Sequence, residues 1–177
     1  EENAKRILGD HIRFNENDPN EIFTLVELLG EGSYGAVYKG LYRDNPKDLS
    51  PVAIKIIPAE EDLTTLEKEI SILKKCTSAY IVQFFDCFLH DGELWIIMEF
   101  CMGGSVSDMI DVSGQCLVES EIRSVCACIV LGLCYLHSSH NIHRDLKAGN
   151  ILISIEGLAK LADFGVSAQL NNTISKR

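Results

Sequence analysis

Two short segments in the second half of the sequence hold side chains suited to acid–base and metal-assisted chemistry. Residues 143–150 read HRDLKAGN, which places a carboxylate that can act as a base, a lysine and an amide that can bind a metal in one short stretch. The triplet DFG at 163–165 supplies a further carboxylate. A random charged loop can contain the same residue types, and a single DFG triplet is common by chance. The order and spacing of the two segments therefore indicate a site more strongly than either segment does alone.

A glycine-rich segment near the N-terminus fits a phosphate-binding loop. Residues 30–37 read GEGSYGAV, the pattern G-x-G-x-x-G-x-V. Alone, this pattern also fits a Rossmann dinucleotide loop or a turn that binds no ligand. A Rossmann loop must open a helix, whereas residues 36–42 are rich in the β-branched and aromatic residues typical of strands. We therefore predict a loop between two strands, where the absence of side chains lets backbone N–H groups approach phosphate oxygens.

One lysine interrupts an apolar strand. Residues 52–55 read VAIK, and Lys55 is either an edge lysine whose ammonium reaches water or a cation kept for a phosphate. A buried cation needs an anion nearby. In the helix predicted over residues 62–76, Glu69 lies within about 60° of the apolar stripe, whereas Glu67 lies about 100° away, toward solvent. Glu69 is therefore the predicted partner of Lys55.

The elements that must position these residues change in type along the chain. Residues 1–21 are polar, and we expect a tail or one loosely packed helix there. Alternating apolar residues and turn signals predict five strands and one helix up to residue 100, and mainly helices with short strands beyond it. The predicted strands lie at 23–29, 36–42, 52–57, 81–88, 94–100, 151–153 and 158–161, and the later helices at 106–110 and 119–138.

Composition and charge disfavour several classes of partner and location. The chain has 26 acidic and 16 basic residues, a formal charge of −10, which argues against a surface for nucleic acid or for an anionic membrane. Seven cysteines without a CxxC pair predict reduced, mostly buried thiols in a cytoplasmic protein. The most apolar stretch, residues 125–136, is shorter than the roughly 20 residues of a membrane span, so we expect a buried helix there. We expect no signal peptide, since no apolar segment follows the first residues.

Taken in order, the motifs resemble those of the eukaryotic serine/threonine protein kinases. The resemblance covers residues 22–177, with the glycine-rich loop, the VAIK lysine, the helix glutamate, HRDLKxxN and DFG in the family's order. Four segments more narrowly resemble the sterile-twenty group, and within it the Hippo-type germinal-centre kinases: 95–101, 104–108, 143–150 and 160–166.

This resemblance implies an α+β bilobal protein kinase fold. Residues 1–21 would form an N-terminal tail. Residues 22–100 would form the small lobe, a five-stranded antiparallel sheet with one helix. Residues 101–177 would form the hinge and an incomplete, mainly helical large lobe that ends in the activation segment. The chain is expected to stop before the substrate-docking loop and to have little activity alone.

The resemblance also implies the catalytic roles. Asp145 would accept the proton of the substrate hydroxyl, and Lys147 would steady the γ-phosphate of ATP. Lys55, held by Glu69, would bind the α- and β-phosphates. Because phosphoryl transfer needs mainly positioning and charge neutralisation, these four side chains would account for most of the chemistry.

Metal and nucleotide contacts follow from the same resemblance. Asn150 and Asp163 would hold two Mg²⁺ ions beside ATP. The other implied nucleotide contacts are the loop residues Gly30, Glu31, Gly32, Ser33, Tyr34 and Gly35, the adenine contacts Val37, Ala53 and Leu152, the gatekeeper Met98, the hinge residues Glu99 and Cys101 through their backbones, and Asp108 at the ribose.

The implied partners are ATP, proteins that bear serine or threonine, and a regulatory scaffold. Lys147 favours Ser/Thr specificity, because tyrosine kinases typically replace the Lys-Ala-Gly stretch with an Ala-rich one that contains arginine. Arg144 marks a site that a phosphate on the activation segment can order. Thr173 and Ser175 are acceptors within the chain.

Two other classes of function stay open at this point. A pseudokinase-like module would use the same fold for nucleotide binding or scaffolding, although Lys55, Asp145, Asn150 and Asp163 are all present. An NAD-dependent enzyme would need a helix after Gly35, where a strand is predicted.

Overall fold

Strand-forming residues in the first hundred positions build one five-stranded antiparallel sheet. Its strands are β1 (Phe23–Gly32), β2 (Gly35–Tyr42), β3 (Val52–Pro58), β4 (Phe84–His90) and β5 (Glu93–Glu99). They lie in the order β1-β2-β3-β5-β4, which confirms the predicted fold class. The computed structural model describes residues 14–32, 35–44, 50–58, 70–163 and 168–169.

Successive side chains of a strand point to opposite sides, so the two faces of the sheet hold different residues. In β3, Val52, Ile54 and Ile56 are buried in an apolar cluster on one face. Ala53 and Lys55 therefore belong to the other face, and both are half-buried. The cluster also contains Phe23, Phe88, Trp95 and Ile97. Burial of this face fixes the register, since a slip of one residue would turn Lys55 into the cluster.

Residues 14–21, expected to belong to a tail or one loosely packed helix, are attached to this sheet. The Asn15 N–H donates to the Cys87 carbonyl oxygen at 2.9 Å. One helical turn, α1 (Pro19–Ile22), follows and leads into β1, with Pro19 buried. The rest of the predicted tail, residues 1–13, lies outside the described residues.

The chain divides into two compact units. The first contains the described residues through Lys74 and the segment Phe84–Phe100. The second contains Lys75–Gln83 and the described residues from Cys101 onward. The segment before β4 therefore groups with the later part of the chain.

A long-range contact explains this grouping. Residues 70–75 are helical, and a strand was expected over 81–88, but β4 begins only at Phe84. Ile81 instead forms a parallel bridge with Leu161, about eighty residues later in the chain. An apolar run shows that a segment is buried, but it does not show which partner buries it.

The second unit is mainly helical, as predicted. Its helices are α2 (Val106–Ser113) and α3 (Glu119–Ser138), followed by β6 (Asn141–Ile142), a 3₁₀ turn (Ala148–Asn150), β7 (Ile151–Ile153), β8 (Ala159–Leu161) and β9 (Ala168–Gln169). Strands β7 and β8 pair as an antiparallel hairpin, and β6 pairs with β9. The loop that carries the HRD motif thus lies between β6 and β7.

Helix α3 differs from the buried helix expected over 125–136. Only Ile129, Gly132 and Leu136 are buried, on a stripe at i, i+3 and i+7, whereas Val130 is 56% exposed and Leu131 48%. By length and composition α3 is the one helix in the described part of the chain that could cross a membrane. This is weak evidence, because core helices pass the same test.

The exposed side of α3 also corrects the prediction of mostly buried thiols. All seven cysteines are free, and only Cys76, Cys87 and Cys101 are buried. Desolvation raises the pKa of both Cys76 and Cys87 to about 11, so these two thiols stay protonated and unreactive.

Candidate active site

The three glycines of the glycine-rich loop differ in whether the fold itself requires glycine at that position. Gly35 has φ +100°, and a Cβ on it would overlap the carbonyl oxygen of Ile56 on the neighbouring strand. Gly30 and Gly32 have no atom within 4 Å of an added Cβ. The fold therefore requires glycine at 35 but leaves open space beside the other two. Ser33 and Tyr34, which follow Gly32 in the sequence, lie outside the described residues.

The face of the sheet that carries Lys55 brings together four of the predicted nucleotide contacts. Val37 of β2 is directly opposite Lys55 of β3, and Ala53 is directly opposite Met98 of β5. All four residues are half-buried. Glu99 ends β5 beside them. The face thus offers an apolar floor with one ammonium group, a combination suited to a flat ring attached to an anion.

The turn after Phe100 belongs to the second unit. Cys101 is buried, and its carbonyl oxygen accepts from the Gly104 N–H at 3.1 Å. Gly103 packs so closely that an added Cβ would lie 2.7 Å from the Cβ of Ile153. The turn is therefore held by its own backbone and by β7.

Asp108 has a structural role besides the predicted ribose contact. Its Oδ2 accepts from the Ser105 N–H at 2.9 Å, and its own N–H donates to Ser105 Oγ at 3.0 Å, which forms a capping box at the start of α2. The hydrogen bonds from Ser105 hold the pKa of Asp108 below its usual value. Ser105 also bridges to Leu152, the predicted adenine contact on β7.

The HRD loop holds a hydrogen-bonded cluster of three polar side chains. Lys147 Nζ donates to Asp145 Oδ2 at 2.7 Å, and Asn150 Nδ2 donates to the same oxygen at 2.9 Å and to the Asp145 carbonyl at 2.8 Å. The hydrogen bond from Lys147, together with that from Asn150, lowers the pKa of Asp145. Within the described part of the chain no hydrogen bond reaches Asp145 Oδ1. This oxygen can therefore receive a proton while Oδ2 stays fixed.

His143 connects two of the predicted site segments, although the sequence analysis assigned it no role. It is buried, its Nε2 lies 2.9 Å from the Ala162 carbonyl oxygen, and its Nδ1 lies 3.3 Å from the Asp145 N–H. A carbonyl can only accept and an N–H can only donate, so Nε2 carries the proton and Nδ1 accepts. The ring thereby ties the HRD loop to the residue before Asp163. Its place beside the candidate base in HRD was the signal available in the sequence.

Asn150 and Asp163 have the donor atoms that a hard divalent cation prefers. Asn150 is buried. In the described residues its side chain makes hydrogen bonds only through Nδ2, which leaves Oδ1 for a ligand. Asp163 is exposed, with φ 60°. The pKa of Lys147 is raised, first by its hydrogen bond to Asp145 and also by the charge of Asp163. Amide and carboxylate oxygens suit Mg²⁺, so these two residues fit the predicted ions.

Several predicted residues lie outside the described part of the chain. They are Ser33, Tyr34, Glu69, Thr173 and Ser175. The pairing of Lys55 with Glu69 therefore stays a prediction. Its helical phase is supported by Ile70 and Leu73, which are buried as the apolar stripe requires.

Each unit thus contributes one set of groups suited to phosphoryl transfer. The first has a glycine loop with open space and a half-buried lysine on the sheet. The second has a carboxylate held by a lysine and an amide, and two side chains with oxygen donors. The family model of the protein kinase domain matches residues 23–177. The chain therefore belongs to the protein kinase domain family, whose members transfer a phosphoryl group from ATP to proteins.

Proposed function

We propose that this domain phosphorylates serine and threonine hydroxyls of proteins with MgATP, as a kinase of the sterile-twenty group closest to the Hippo-type germinal-centre kinases. The observation that carries the proposal is the contact of Lys147 Nζ with Asp145 Oδ2 at 2.7 Å. It places a base and a cation side by side, where an attacking hydroxyl and the group it attacks must meet.

Asp145 is a weak base with a fixed geometry. The pKa of its carboxyl is lowered by Lys147 and Asn150, so it is ionised at neutral pH but does not strongly attract a proton. In a loose transition state the hydroxyl loses its proton late, so orientation matters more than basicity. Asp145 Oδ1 orients the hydroxyl and then takes its proton, while Oδ2 remains bound to the two donors.

Lys147 and Lys55 neutralise charge on the phosphates. Lys147 lies beside the base and faces the γ-phosphate that the hydroxyl attacks, and Lys55 serves the α- and β-phosphates. Mg²⁺, when bound, would neutralise the phosphate oxygens further. Asn150 and Asp163 would hold it through their side-chain oxygens. The open space beside Gly30 and Gly32 lets the loop backbone approach the phosphates.

The choice of serine and threonine rests on Lys147. A Lys-Ala-Gly stretch before Asn150 is typical of Ser/Thr kinases, and the lysine is held against the base. The narrower assignment rests on the four segments that resemble the Hippo-type kinases. A cytoplasmic location and a regulatory scaffold belong to the same proposal, and they rest on the free cysteines and on the resemblance.

The test is run with the full-length protein and measures phosphorylation of three peptides that differ only in a Ser, Thr or Tyr acceptor. Wild type should label the Ser and Thr peptides with ³²P from MgATP and leave the Tyr peptide unlabelled. Asp145→Asn should lower turnover at least about a hundredfold, as loss of a general base does. Asp91→Asn is the matched control, because Asp91 is an exposed carboxylate in the β4–β5 turn.

Two results would contradict the proposal. Labelling of the Tyr peptide alone would overturn the specificity. MgATP binding without transfer to any peptide or protein substrate would favour the pseudokinase-like module.

A further inference from the structure

Lys39 of β2 makes a cation–π contact with Phe100, the residue that follows β5. Its Nζ lies 5.3 Å from the centroid of the Phe100 ring. An ammonium group within about 6 Å of a ring centroid is attracted to the electron-rich face of the ring. Both side chains are half-buried, so this attraction is screened by water less than at a fully exposed site.

Lys39 reaches Phe100 across the middle of the sheet. Tyr38 packs against the apolar cluster, so Lys39, the next residue of β2, lies on the other face. Lys39 is directly opposite Ala53 of β3, and Ala53 is directly opposite Met98 of β5. Because Ala53 has only a methyl side chain, it leaves room for the lysine to cross β3 toward Phe100.

Phe100 separates the two hinge residues whose backbones are predicted to read the edge of adenine. Glu99, before it, forms the last pair of the β3–β5 ladder with Val52. Cys101, after it, is buried and accepts a hydrogen bond from the Gly104 N–H. Phe100 itself lies beyond the ladder, so a contact of its ring adds an anchor that the ladder does not supply. The peptide units on either side of Phe100 belong to the predicted adenine contacts, and an anchored ring therefore restricts their orientation.

We propose that Lys39 is a positioning residue for adenine recognition, which acts by holding the ring of Phe100 and, through it, the backbones of Glu99 and Cys101. This inference rests on the proposed function, because it takes the adenine of ATP to bind along these two residues. The two lysines on this face then have different tasks. Lys55 serves the phosphates, whereas Lys39 orders the residues that read the base.

The first experiment measures ATP kinetics of the full-length protein. Lys39→Met removes the cation and keeps most of the side chain. It should raise the KM for ATP about two- to fivefold, equal to about 0.4–1 kcal/mol, with kcat unchanged. Lys39→Arg should stay close to wild type, because a guanidinium group also stacks on an aromatic ring. Lys75→Met, which removes an exposed lysine of the same length, is the control for net charge and should leave both constants unchanged.

Adenosine separates positioning of the base from attraction of the phosphates. It carries the base and no charge, so a lysine that acted only on the phosphates would not affect its binding. We expect Lys39→Met to weaken adenosine binding by the same factor as MgATP binding, measured by calorimetry or NMR titration. Unchanged adenosine affinity together with weaker MgATP binding would overturn the inference.

A double-mutant cycle tests whether Lys39 acts through Phe100. Phe100→Leu keeps the charge and an apolar side chain but removes the ring, and it should weaken adenosine binding about as much as Lys39→Met does. In the Phe100→Leu background, Lys39→Met should have little further effect, because the contact is already lost. Additive effects of the two changes would contradict the proposed route.

The binding measurements also separate this inference from the proposed function. If wild type binds adenosine and MgATP but transfers no phosphate, the proposed function fails, and the adenosine titrations still decide the role of Lys39. If wild type transfers phosphate from ATP but Lys39→Met has wild-type KM and adenosine affinity, the proposed function stands and the positioning role is wrong.

Discussion

Two glycines of one motif should respond in opposite ways to the same substitution. Gly35→Ala should destabilise the first unit without any ligand. Gly30→Ala should leave its stability unchanged or slightly higher and should weaken ATP binding. The difference arises because Gly35 touches the neighbouring strand, whereas open space surrounds an added Cβ at Gly30.

The magnitudes follow from three contributions. At φ +100°, a residue with a Cβ is strained by about 1–3 kcal/mol. Overlap of the Cβ with the Ile56 carbonyl, a backbone atom that cannot rotate away, adds about 1–3 kcal/mol as overpacking does. Lower backbone entropy in the unfolded chain returns at most about 1 kcal/mol. Gly35→Ala should therefore lose about 1–5 kcal/mol of a total stability of roughly 5–15 kcal/mol. At Gly30 only the last contribution applies.

Urea denaturation followed by Trp95 fluorescence measures the stability of each variant, since Trp95 lies in the apolar cluster of the first unit. Calorimetry with MgATP measures binding. We expect the Gly30→Ala midpoint at or above that of wild type, with ATP affinity lowered about tenfold or more. A Gly35→Ala midpoint equal to wild type would refute the steric reasoning. A destabilised Gly30→Ala would show that the space beside Gly30 is not open.

Substitutions at three further positions test the charged groups. Lys55→Met should abolish ³²P transfer with little change in thermal unfolding, because this side chain lies on the face opposite the apolar cluster. Asp163→Asn should remove most of the Mg²⁺-dependent part of ATP affinity, and calorimetry with and without Mg²⁺ would expose any error in this metal assignment. Lys147→Met removes the main cause of the lowered pKa of Asp145, so that pKa should rise and the acid limb of the pH–rate profile should move to higher pH. Lys147→Arg, which keeps the charge, should move the limb less.

The sequence predicted most accurately the helices and strands whose residue pattern lies within the element itself. The apolar run at 52–57 predicted a strand that the structure has as β3, Val52–Pro58, and α3 begins and ends where its pattern predicted, at Glu119 and Ser138. The elements against which residues 75–83 pack could not be predicted in this way. Their partners, Tyr135 and Leu161, lie about sixty and eighty residues away, and an apolar run does not specify a distant partner.

A match to a family motif assigns a single role to a residue, although its side chain can have a second one. Asp108 fits the ribose contact of the family, but its Oδ2 is bound within the capping box of α2. The motif S-x-x-D at 105–108 was visible in the sequence as a capping signal. A substitution at Asp108 therefore loosens a helix terminus as well as any ribose contact. A fall in ATP affinity alone would not separate these two causes.

Two positions near the candidate site have strained backbone angles that the sequence does not predict. Arg144 has φ 69° and Asp163 has φ 60°, in the left-handed region. Aspartate tolerates this region, but a long side chain such as arginine adopts it rarely, and such positions persist only where the surroundings hold them. The hydrogen bond from His143 to the Ala162 carbonyl joins the two residues that immediately precede these positions. Because the His143 ring is buried, this bond does not compete with water. His143 therefore stabilises both strained positions at once, and through them the separation of Asp145 from Asp163.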